Sequence, residues 1–149
     1  MNTKTTLSAK PALWFWVVTS LGLAWNLFGL VQFIGSLGAT QDSLTASGLT
    51  VEQANVMLGY PVWMTLAFAI GVIGGVVGCG LLALRKGSAT PVFALSLVGY
   101  IALWLGDAIH GVFAALGTPQ IVILSLVVLI AAALLVLARK AAALGWLDR

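Results

Sequence analysis

Apolar residues in this chain do not alternate, and they do not recur on one helical face. They run on almost unbroken over 11–37, 61–84, 91–116 and 121–138, separated by short polar stretches. About 20 apolar residues in a helix cross the hydrocarbon core of a bilayer, so the pattern predicts four spanning helices. The first run is much longer than the roughly 7–15-residue apolar core of a secretory signal and is expected to stay as an uncleaved helix. Residues 1–10 are polar and read as a short mobile tail. The fourth run is almost purely aliphatic, with Ser125 its one polar residue, and reads as a largely lipid-facing helix.

The one sizeable polar stretch is 38–60. Its first half is rich in Ser, Thr, Gly and Gln. Thr50-Val51-Glu52-Gln53 then matches a capping box, in which a threonine hydroxyl and a glutamine side chain satisfy each other's backbone N–H groups. Gly59 is a natural stop and Pro61 a natural first residue of the next helix. The stretch therefore predicts one short helix at the membrane surface.

Composition removes the alternative of a soluble domain. The chain is 149 residues long, 61% hydrophobic and only 7% charged, with a mean hydropathy of +1.11, whereas soluble domains carry about 25% charged residues. A pI near 9.4 does not point to nucleic acid. The seven cations, Lys4, Lys10, Arg85, Lys86, Arg139, Lys140 and Arg149, flank membrane runs and form no basic face. They do set an orientation. All lie in the two tails or the turn after the second run, while the 38–60 stretch carries only Asp42 and Glu52. Short cytoplasmic segments hold the excess of Lys and Arg, so both termini are expected in the cytoplasm. The fold expected is all-α: an integral inner-membrane four-helix bundle in a single domain, with a short periplasmic helix between the first two spans. Cys79, the one cysteine, lies in an apolar run and reads as inert packing.

Glycine marks the second run. Gly71/Gly75 and Gly74/Gly78 are two overlapping GxxxG pairs. Small residues let a neighbouring helix backbone approach closely in lipid, and two offset pairs make a strip wide enough for two neighbours. The pattern leaves open whether those neighbours belong to the same chain.

The chemistry-bearing residues at membrane depth are few. Asp107 and His110 are the only acid and only histidine inside any apolar run. At about 1.5 Å per residue, Asn26 lies roughly 22 Å and Asp107 roughly 24 Å from the starts of their runs, which run in the same direction. That puts Trp25, Asn26, Trp104, Asp107 and His110 in one layer as the candidate polar site. One reading is a proton-linked or solute-binding site. The other, preferred because no second acid or basic partner lies in the membrane, is a structural knot of Asp107 with His110 and Asn26. One Asp and one His are too few to hold a metal. No cofactor is expected, and nothing supports nucleophilic or hydrolytic catalysis.

The pattern Trp25-Asn26-Leu27-Phe28-Gly29, Pro61-Val62-Trp63, Phe68-Ala69 with Gly74-Gly75-Val76-Val77-Gly78-Cys79, Leu84-Arg85-Lys86, Phe93-Ala94-Leu95-Ser96-Leu97 and Gly145-Trp146-Leu147 resembles a family of small, uncharacterised bacterial inner-membrane proteins. Its members have about this length and four predicted spans, and some carry a sugar-transporter label. The resemblance implies the four-span fold but brings no functional residues with it. The function expected is non-enzymatic: association in the bilayer with itself or with another integral membrane protein, as a homo-oligomer or accessory subunit. The alternative is transport of a small, sugar-like or proton-linked solute using Asp107 and His110.

Overall fold

A computed structural model describes residues 9–148, so Lys4 and Arg149 and most of the tail expected to be mobile lie outside the described residues. The elements are α1 (Leu13–Leu37), α2 (Gln41–Ala46), α3 (Val51–Leu58), α4 (Val62–Ala83), α5 (Ala89–Ile109), α6 (Val112–Leu116) and α7 (Thr118–Ala143). Four of them, α1, α4, α5 and α7, are long and apolar enough to cross a membrane. They run up and down in order, each against the next. Residues near 12, 86 and 146 meet at one end, here the basic end. The short helices sit at the other, the loop end.

The third run is not one helix. It ends at Ile109, and Gly111, at φ 74°, supplies the left-handed residue that commonly terminates helices. A single turn, α6, follows before Gly117 (also φ 74°) starts α7. The 38–60 stretch holds two short helices rather than one. Thr50 and Gln53 form the expected capping box on α3, and Thr40 and Ser43 form a second on α2.

The glycine strip is filled from within the chain. A Cβ at Gly71 would meet the Tyr100 ring at 2.6 Å, at Gly74 the Ser96 Cβ at 2.9 Å, and at Gly78 the Phe93 ring at 2.7 Å, all on α5. A Cβ at Gly75 would fall on the Asn26 side chain of α1. The two neighbours are thus α5 and α1. The α5 side contributes glycines too: a Cβ at Gly99 would lie 2.8 Å from the Ala67 carbonyl oxygen, and one at Gly106 would meet Trp63 and Met64. The close approach lets the Ser96 hydroxyl donate to the Gly71 carbonyl at 2.6 Å, a bond between helices that hydrocarbon cannot compete for.

The bundle covers only 28% of the apolar window of α7, in keeping with its aliphatic composition, and the covered part is one side. Leu124, Ala131, Leu134, Leu137, Ala138 and Ala141 line its buried side, and Leu124 packs in one cluster with Met64, Leu103 and Val112. Leu134 closes the bundle on α1 at Gly22. Cys79 is buried among Phe15, Leu82 and Phe93, as packing requires.

The basic end is tied by the chain's own tails. α7 ends in a Schellman motif, with Gly145 left-handed and the Trp146 N–H bonded back to the Ala141 carbonyl at 2.9 Å. α4 ends the same way, but with Arg85 at φ 58° in the glycine position. A non-glycine residue there costs about 1 kcal/mol or more. Its guanidinium recovers bonds to the Trp146 and Ala9 carbonyls, at 2.8 and 2.9 Å.

Substitution at Gly75 tests the intrachain packing. Gly75→Ala is expected to lose about 1–3 kcal/mol by overpacking. Adding Asn26→Ala removes the colliding side chain, so the double variant should be less destabilised than the sum of the singles. Gly80→Ala, with open space around it, should be neutral or slightly stabilising. Thermal melting in detergent measures all four chains, and additive losses would contradict the Gly75–Asn26 contact.

Candidate functional site

Asp107 is completely buried, two residues before α5 ends. The Tyr60 hydroxyl, just before α4, donates to its Oδ1 at 2.7 Å. The Gln120 amide, in the first turn of α7, donates to its Oδ2 at 2.8 Å. One carboxylate therefore ties three chain segments together at the loop end. Both partners donate and both are neutral, which matches a carboxylate accepting on each oxygen but leaves it without a counter-ion among the described residues. Burial, and then the bond and charge of Asp107, push the Tyr60 phenol above its usual range. It stays protonated and continues to donate.

The five residues expected in one layer are not together. Asn26 donates to the Gly22 carbonyl at 2.8 Å and weakly to the Cys79 sulfur at 3.9 Å. Asn26 packs most closely on Gly75, 13 residues after the start of α4 at Val62, whereas Asp107 bonds to Tyr60, which comes before α4. At about 1.5 Å per residue the two polar groups are separated by roughly 20 Å. Counting from the start of each run fails because the runs do not begin at one depth. Asn26, midway along α1, packs on Gly75 and Cys79 of α4, whereas the α5 residue beside that stretch of α4 is Phe93, near the start of α5.

His110 is not a partner of Asp107 either. The helix has ended, and the imidazole is exposed and lies against the Trp63 ring, 5.8 Å between centroids. Trp104 donates its indole N–H to the Ser125 hydroxyl at 3.0 Å, linking α5 to α7. Trp25 is half-buried on α1, in the same stretch of that helix as Asn26. Tyr60 and Gln120 are the partners of Asp107 that the run pattern missed, because it placed both outside the spans, although Gln120 is in the first turn of α7. Their one sequence signal is that each is a polar group next to a proline at the loop end of a span.

Beside this knot lies an open groove of about 450 Å³ between α3 and the α6–α7 corner. Leu49, Met57, Leu116 and Ile123 give it an apolar lining, and Gln53 and Gln120 give it amides. Gln53 is committed: its amide donates to the Ala115 carbonyl at 3.1 Å and its oxygen accepts from the Thr50 N–H. Gln120 stands between groove and carboxylate. Among the described residues no cluster of three metal-ligating side chains forms.

No family model matches the chain, and no curated protein or solved structure does.

Substitution of Asp107 separates charge from hydrogen bonding. Asp107→Asn keeps one acceptor, and its new amide donor is met by rotating the Tyr60 hydroxyl or turning the Gln120 amide. A neutral group is also cheaper to bury than an ion. Its melting temperature in detergent is expected to equal or exceed that of the parent. Asp107→Leu strands both partners and is expected to cost about 1–3 kcal/mol. Equal melting of the Leu variant would contradict the knot.

Proposed function

We propose that this is an inner-membrane protein that works by association, with both termini in the cytoplasm and the loop end in the periplasm, and that α1 is its docking helix. The observation that carries the reading is the exposure of α1. Only 22% of its apolar window is buried, against 28% for α7 and 39% for α4 and for α5. Its main packing partner is α4. Its outer face presents Val17, Leu21, Phe28 and Val31 together with the exposed polar side chains Ser20 and Gln32. Gln32 is next to Phe33, which packs on Phe68, roughly 9 Å inside the outer end of α4 at the helical rise. A polar side chain at that depth gains more from a neighbouring helix than from lipid tails. The glycine strip lends no support, because the chain's own helices occupy it. The basic end carries Lys10, Arg85, Lys86, Arg139 and Lys140, which supports the orientation. The partner is a second copy or another integral membrane protein, and the resemblance to small four-span bacterial proteins fits such a role.

Solute transport is the second reading, favoured by one observation: the buried Asp107 carboxylate, without a counter-ion among the described residues, beside a groove. Four spans give little room for a pathway, so this reading needs several protomers.

Two measurements test the proposal, both in a Cys79→Ser background. Thiol cross-linking from Ala24→Cys, on the exposed face of α1, is expected to give one discrete adduct in native membranes, identified by mass. Val136→Cys on α7 should give none. Monomer alone from both would remove the docking role. For orientation, Ser47→Cys should react with an impermeant thiol reagent in cells with a permeabilised outer membrane, and Ser88→Cys should not. Reversed labelling would overturn the topology.

A further inference from the structure

The loop end carries acids and no lysine or arginine. Between residues 11 and 84 the charged residues are Asp42 and Glu52, and between 87 and 138 the only one is Asp107. A cation approaching this end meets a field of one sign. Glu52 is on α3, the residue before Gln53, which lines the groove. Asp107 lies behind Gln120, on the groove's far wall.

The Asp107 carboxylate has two hydrogen bonds, both from neutral groups. A carboxylate has about four lone-pair sites, and a buried charge without an opposite charge is costly. Gln120 both lines the groove and donates to Asp107, so one flexible side chain links the two. Turning Gln120 aside frees Oδ2 toward the groove, while Tyr60 keeps its bond to Oδ1. An ammonium N–H entering from the groove then replaces an amide N–H on the same oxygen. The hydrogen-bond count is unchanged, and a charge-assisted bond takes the place of a neutral one.

The rest of the groove selects what carries the ammonium. Leu49, Leu116 and Ile123 offer an apolar bed, and Met57 adapts its shape to the guest. The size, about 450 Å³, lies in the usual range for small-molecule sites, about 300–1,000 Å³. Gln53, held by its capping box and by Ala115, is a fixed wall.

We propose that this groove binds a small amphipathic amine: its apolar body on Leu49, Met57, Leu116 and Ile123, its ammonium on Asp107 in place of the Gln120 amide. This site is separate from the docking face of α1, and it stands whether or not the protein moves a solute.

The test uses the full-length protein in lipid nanodiscs and 2-phenylethylamine as probe, with binding read by calorimetry at neutral pH. Saturable binding is expected, with 2-phenylethanol, of equal shape but uncharged, at least tenfold weaker. Asp107→Asn, which the knot tolerates, should lose binding at least tenfold. Ile123→Trp, filling the groove from the surface without touching the carboxylate, should lose it as well. Gln120→Ala removes the linking side chain and should bind the amine as tightly as the parent or more tightly. Absence of saturable binding to the parent chain would overturn the site. So would equal affinity for the alcohol, or unchanged affinity in both Asp107→Asn and Ile123→Trp. Loss in Ile123→Trp with full retention in Asp107→Asn would overturn the role of the carboxylate.

Discussion

In a bilayer a helix gains nothing by hiding apolar surface from lipid, because the lipid tails are as apolar as its neighbours. What remains is contact, and contact depends on how closely two backbones approach. In this protein that dependence centres on α4. Glycines at 71, 74 and 78 admit Tyr100, Ser96 and Phe93 of α5, and Gly75 admits Asn26 of α1. The helix therefore holds a neighbour on each of two faces. The bond from Ser96 to the Gly71 carbonyl exists because the approach is so close. The remaining helix, α7, reaches the others through larger side chains, Leu124 and Leu134 among them.

The two ends are closed by different means. At the loop end, Asp107 gathers Tyr60 and Gln120, so the start of α4, the end of α5 and the start of α7 share one carboxylate. At the basic end, Arg85 accepts a left-handed backbone that a glycine would take without strain, and its guanidinium binds the carbonyls of both tails. In each case a local cost, a buried charge or a strained residue, is offset by bonds that join segments far apart in sequence. The middle is held mainly by shape, with the Ser96–Gly71 and Trp104–Ser125 bonds made between helices already in close contact.

Four apolar runs predicted four long helices because length and hydropathy alone decide that question in lipid. The capping box at Thr50 and Gln53 was equally legible, being a local pattern with a local cause. The glycine pairs announced close packing but not its partner, since a GxxxG strip looks the same whichever chain fills it. The partners of Asp107 were not legible: depth counted from run starts placed Asn26 beside it, and only the tertiary fold reveals that α1 and α5 are offset. The break after Ile109 did have a signal. His110 followed by Gly111 has the form of a helix end, hidden by the apolar residues that resume at Val112. Arg85 had none, because glycine or asparagine is the expected residue at that position.

α4 packs against helices of its own chain. Gly29 of α1 faces Val72 of α4, with an ideal Cβ 3.5 Å from the valine side chain. Cysteines at both positions, in a Cys79→Ser background, measure this by mild oxidation in membranes. Packing of α4 within its own chain predicts an intrachain disulfide, seen as a monomeric band of altered mobility, and no cross-linking when the two single-cysteine chains are co-expressed. A covalent dimer formed between the two single-cysteine chains, with no intrachain bond in the double variant, would contradict it.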